Sequence, residues 1–76
     1  SKILREYPVL RHQFVQKSDY SCKLYIDYNY TVSDSDQREI LDKILQLFNN
    51  RVDLTIIQKE FDLDTKTIPF LSEVKK

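Results

Sequence analysis

The sequence predicts a small α+β domain in which one helix packs on one face of a mainly antiparallel sheet of three to four strands. Three observations carry that prediction. Residues 22–31 place Cys22, Leu24, Ile26, Tyr28 and Tyr30 at period two, the pattern of a strand with one buried face. Ile40, Leu41, Ile44, Leu45, Leu47 and Phe48 recur at helical spacing among charged residues. The 76 residues make one domain, 1–76, near the size at which a single core becomes marginal.

Residues 1–7 read as a short helical turn, with Ile3 and Leu4 apolar and Tyr7 closing it before Pro8, where the α region is disfavoured. The chain opens inside an amphipathic pattern and without an initiating methionine, which leads us to expect a fragment of a longer protein. Residues 10–17 alternate between two mixed faces and suit a strand. Ser18, Asp19, Tyr20 and Ser21 are a polar connector to the tyrosine-rich strand, so the two runs read as a hairpin. The polar run Ser33-Asp34-Ser35-Asp36 leads into the helix, with Asp36 and Glu39 at capping-box spacing. Asn49 and Asn50 end it, because asparagine tolerates the left-handed conformation found at helix C-termini. In residues 52–58, Val52, Leu54 and Ile56 face one way and Ile57 the other, as in a strand covered by the helix. Beyond Lys59 the pattern loosens, and Pro69 restricts the apolar stretch around Ile68 and Phe70 to an edge strand or an extended segment. The expected core is Leu24, Ile26, Tyr28, Ile40, Ile44, Leu47, Phe48, Leu54 and Ile56.

Composition excludes several functions. With no glycine, the chain contains no phosphate-cradling loop of the Walker or dinucleotide type. Twelve basic and twelve acidic residues cancel, so we expect neither a nucleic-acid partner nor an anionic membrane surface. No apolar run approaches the ~20 residues of a membrane span. Cys22, the single cysteine, has no intramolecular disulfide partner, which argues for a reducing compartment and a cytoplasmic location.

Side chains capable of chemistry are few. His12 lacks a second ligand at metal-binding spacing and is better read as structural. Cys22 lacks any motif that would activate a nucleophile. Tyr20, Tyr25, Tyr28 and Tyr30 could stack single-stranded bases, but such platforms come with a positive groove, and cross-strand packing explains the tyrosines better. Asp34, Asp36, Glu39 and Asp42 lack the central glycine and terminal glutamate of a calcium loop; helix capping accounts for them. No metal site is expected. Lys66 stands apart: it follows the last clear strand on a polar loop, flanked by the hydroxyls of Thr65 and Thr67, and could clamp a phosphate or carboxylate.

Several local motifs, taken in order, carry a resemblance. They are Ile3-Leu4-Arg5-Glu6-Tyr7-Pro8-Val9, Phe14-Val15-Gln16, the tyrosine-rich strand, the helix, Val52-Asp53-Leu54-Thr55-Ile56-Ile57 and Asp64-Thr65-Lys66-Thr67-Ile68-Pro69-Phe70. Over nearly its whole length the chain resembles the C-terminal domain of phenylacetate-CoA-ligase-like adenylate-forming enzymes, a family that includes proteins of capsular polysaccharide biosynthesis. The resemblance implies a mobile lid that closes over an N-terminal adenylation domain of the same chain, the partner that binds ATP and a carboxylic acid. It also implies ATP, magnesium and coenzyme A as requirements of the parent enzyme, with the fragment inactive alone.

In that family a loop lysine, typically preceded by glycine, contacts the acyl-adenylate. The resemblance gives this catalytic role to Lys66 and adenylate contacts to Thr65 and Thr67. Aligning Ile68-Pro69-Phe70 with the segment after that lysine puts Lys66 where glycine is usual and Thr67 where lysine is usual. A one-residue shift of the loop restores Lys66 as the clamp; without it the adenylation lysine is lost. The alternative is a non-enzymatic regulatory module that dimerises by pairing sheet edges.

Overall fold

The computed structural model describes residues 7, 9–62, 64, 66 and 68–74. The chain runs β1 (Val9–Gln16), β2 (Cys22–Tyr28), α1 (Asp34–Leu47), β3 (Leu54–Gln58) and β4 (Phe70–Ser72). It is an α+β fold, with one four-stranded sheet in the order β3-β2-β1-β4. The expected helical turn at residues 1–7 lies outside the described residues except for Tyr7, which sits in a bend.

β1 and β2 form the expected hairpin, antiparallel from Gln16 opposite Cys22 to Val9 opposite Tyr28, with a register shift between Val9 and Arg11. Its loop is a turn closed by the Tyr20 N–H donating to the Lys17 carbonyl (2.9 Å), followed by Tyr20 at φ 70°. Type I turns followed by one left-handed residue are a common three-residue hairpin connection. The Asp19 carboxylate accepts from both the Ser21 N–H (3.0 Å) and its hydroxyl (2.6 Å).

The sheet is mixed rather than mainly antiparallel. β3 runs parallel to β2, and β4 runs parallel to β1, so only the central pair is antiparallel. The reason lies in the connections: a helical crossover returns the chain in the direction it left, so strands joined by α1 become parallel neighbours. β4 begins just after Pro69 and occupies an edge, as that proline requires.

α1 starts at Asp34, two residues before Asp36. Ser33 is the N-cap, its hydroxyl accepting from the Asp36 N–H at 3.1 Å, so the cap lies three residues ahead of the expected Asp36/Glu39 pair. At the other end Asn49 and Asn50 do adopt positive φ (55° and 56°), and the Asn50 N–H closes the last turn on the Leu45 carbonyl (2.9 Å).

The core joins Cys22, Leu24 and Ile26 of β2, Leu54 and Ile56 of β3, and Ile40 and Ile44 one turn apart on α1. Ile26 and Ile40 are fully buried. The helix is thus centred over β2 and β3. Leu47 and Phe48, expected in the core, are 65% and 41% exposed, because they lie at the helix end and point toward the uncovered half of the sheet over β1 and β4. Tyr28 is only partly buried against this core. Among the described residues no helix is long and apolar enough to cross a membrane.

Candidate functional site

β3 and β4 sit on opposite edges, so the chain between them must traverse the width of the sheet. It does so against the face away from α1. The Lys59 N–H donates to the Ile26 carbonyl (2.9 Å), and its ammonium lies 5.3 Å from the Tyr25 ring and 5.1 Å from the Phe61 ring. The Phe61 N–H donates to the Asp27 carboxylate (3.2 Å), and Arg11 donates from Nη1 to the Asp62 carbonyl (3.0 Å). At the far side the Phe14 N–H donates to the Pro69 carbonyl (2.9 Å) and the Lys17 ammonium pairs with Glu73 (3.1 Å). These bonds tie the chain to the sheet near residues 59–62 and at Pro69, and the described residues between them, Asp64, Lys66 and Ile68, are exposed.

Lys66 lies in that middle stretch and is exposed. Thr65 and Thr67 lie outside the described residues. Lys66 borders two hollows. One, of about 400 Å³, holds Gln13, Phe61, Asp62 and Ile68 in its wall. The other, of about 360 Å³, lies at the free edge of β1 and is lined by Arg11, His12, Lys66 and Pro69. The topology therefore brings Lys66 to the part of β1 that carries Arg11 and His12, from which the sequence separates it widely.

His12 also borders a third hollow, apolar and about 250 Å³, under the C-terminal end of α1. Its wall is a stack of three phenylalanines: Phe14 lies 6.1 Å from Phe48 and 5.7 Å from Phe70, ring centre to ring centre. No local pattern marked this stack, because its members come from β1, the helix end and the terminal strand. Nor did any local signal mark the meeting of Arg11 and His12 with Lys66.

The remaining titratable groups are poorly suited to catalysis. Burial pushes the Cys22 thiol up, and the Asp53 carboxylate adds to the effect, so little of the reactive thiolate forms. The Cys22 Sγ instead faces the Tyr20 carbonyl at 3.8 Å. Tyr28, whose hydroxyl is buried without a hydrogen-bond partner among the described residues, is pushed up to about 12 by burial, then by Tyr30 and Tyr7. Burial holds His12 below its ordinary value, so it is neutral at pH 7. Among the described residues no cluster of three or more histidine, cysteine, aspartate or glutamate side chains could hold a metal ion. The surface around Lys66 is of mixed charge: Lys59, Glu60 and Asp62 share one hollow with it, and Arg11 and His12 the other.

Comparison of the chain with protein families, curated proteins and solved structures returns no match.

Proposed function

We propose that this chain is the C-terminal lid of an adenylate-forming acid–CoA ligase of the phenylacetate-CoA-ligase type, working in the cytoplasm on an N-terminal domain of the same protein. The observation that carries the reading is the presentation of Lys66: an exposed ammonium on a segment bonded at both ends to the sheet. A lid needs that combination, since the amine must reach a second domain while its base stays in register. The order of elements around it adds support, being the order over which the chain resembles that family.

In this reading the lid covers the nucleotide site and excludes water from an intermediate prone to hydrolysis. Lys66 places positive charge where negative charge shifts during phosphoryl chemistry. ATP, the acid and coenzyme A are substrates bound mainly by the N-terminal domain. Magnesium would be held there too, as the described residues provide no cation cluster.

The test is pyrophosphate exchange by the full-length gene product, supplied with ATP and a panel of aryl and short-chain acids. Exchange with one acid is expected, and Lys66→Ala should lower it about 10²- to 10³-fold, the scale of losing one preorganised electrostatic contact. The absence of exchange with every acid, or an open reading frame that begins at Ser1, would end this reading.

A second reading rests on the exposed β4 edge, where Phe70 is 57% and Leu71 39% exposed. Here the chain is a non-enzymatic module that dimerises by edge pairing. Solution mass separates the two: a dimer that persists on dilution supports the module, a monomer the lid.

A further inference from the structure

We propose that the β3 margin of the sheet is a docking surface for a second copy of this chain, the two β3 strands pairing antiparallel about a twofold axis at Ile56.

The backbone defines the surface. The Asp53 carbonyl accepts from the Cys22 N–H (2.7 Å), and the Lys59 N–H donates to the Ile26 carbonyl (2.9 Å). In a parallel ladder every second residue of a strand bonds to its neighbour, so residues 53, 55, 57 and 59 turn their backbone groups toward β2. Leu54, Ile56 and Gln58 turn theirs outward, and among the described residues no hydrogen bond closes them. This margin also lacks the usual guards of a sheet edge. β3 has five residues with no charge, no proline and no register shift against β2. The opposite margin, β4, has three residues and follows Pro69.

Charge and register favour a second copy as the occupant. The antiparallel register that uses every outward residue sets Ile56 against Ile56 and Leu54 against Gln58 of the second copy, each pair exchanging two bonds. The same register sets Asp53 of each copy opposite Lys59 of the other, so opposite charges meet at both ends of the pairing. Between them the exposed Thr55 falls opposite the half-buried Ile57.

The helix fits the same axis. The Gln58 side chain reaches Gln37 of α1 at 3.4 Å, and α1 runs back along β3 in the opposite direction. Leu41 lies one turn beyond Gln37, about 6 Å along the helix. Ile56 lies two residues before Gln58, about 6.6 Å along the strand, so Leu41 is level with Ile56. Both line a hollow of about 630 Å³ between α1 and the β3 margin. With α1 over β2 and β3 and strands about 4.8 Å apart, pairing sets the two helices about 10 Å apart. That is a packing distance for helices, and it brings the half-buried Leu41 of both copies to the axis.

The pairing does not rest on the lid reading, whose own failure is read from pyrophosphate exchange. Its test is sedimentation of the 76-residue chain across a concentration series reaching about 1 mM. A monomer–dimer equilibrium with a Kd of about 0.1 mM is expected, since one strand pair and one helix row make a small interface. In a mixture of isotope-labelled and unlabelled chains, an Hα–Hα cross-peak between Thr55 of one copy and Ile57 of the other is expected, as that pair is the closely spaced kind. Gln58→Pro removes an outward donor and spares the bonds to β2, while Asp53→Lys sets like charges opposite at both ends. Each should weaken association about tenfold. A chain still monomeric at the highest concentration, a dimer whose cross-peaks lie at β4, or an affinity unmoved in an Asp53→Lys protein with the parent's amide spectrum would overturn the proposal.

Discussion

Tyr20 shows what a chain without glycine must accept residue by residue. Its φ of 70° lies in the left-handed region, where a side chain with a Cβ is disfavoured by about 1–2 kcal/mol. Its ring is 66% exposed, so packing returns little of that cost. Tyr20→Gly should therefore stabilise the protein by about 0.5 kcal/mol, after the larger entropy loss of glycine on folding is subtracted, as read from urea denaturation. Asn49 and Asn50 occupy the same region with less strain, since a short polar side chain tolerates it. His12 makes a different prediction. Burial depresses its pKa, so the folded state binds a proton less readily than the unfolded chain. Stability from this group is complete above its ordinary value of 6.5 and declines as pH falls from there toward the depressed folded value. The urea midpoint should thus drop between pH 7.5 and pH 5.5, and His12→Gln should flatten that drop. The lowered values at Asp19, bonded to Ser21, and at Glu39, bonded to Lys43, act only at more acid pH.

Elements with one buried face were legible in the sequence, and those defined by distant contacts were not. The strand carrying Cys22, Leu24 and Ile26 and the helix carrying Ile40 and Ile44 announce themselves because burial on one side forces a period. The asparagine stop of the helix was legible for a local reason too. Its start was read three residues late, since the Asp36/Glu39 spacing resembles a capping box while the serine hydroxyl of Ser33 makes the actual bond. Ser33→Ala should cost about 1 kcal/mol and shorten the helix by its first turn, visible as a loss of amide protection at Asp36 and Gln37. Leu47 and Phe48 follow the helical period yet stay largely exposed, because period alone does not say how far a helix reaches across a sheet. At the candidate site only Lys66 could be singled out. Arg11 and His12 become its neighbours through a contact network whose Arg11–Asp62 bond spans 51 positions.

At the scale of the whole molecule, a short hairpin forms the centre of the sheet and each margin is added by a longer connection. Parallel pairing of β3 with β2 was implicit in the strand–helix–strand order, whereas that of β4 with β1 was hidden, because the direction of the last strand is set by where a long irregular connection ends. The described residues span 37 × 32 × 19 Å, a slab with α1 on one face of the sheet and the chain after β3 on part of the other. β4 contributes three residues to that slab, all exposed, against eight in β1. Its amides should exchange with solvent at least tenfold faster than those of β2, an opening free energy lower by about 1.4 kcal/mol or more. Equal protection of the two strands would contradict this view of the margins. The pairing of so small a strand with a chain that has just spanned the sheet also sets an order of assembly. The hairpin closes a short loop, whereas docking the final strand must first gather a distant stretch of chain, so it comes last on folding and goes first on opening. That final strand is then a latch: releasing it would loosen the far anchor of the Lys66 stretch while the hydrophobic centre stays intact, giving the molecule a way to move its charged arm without melting.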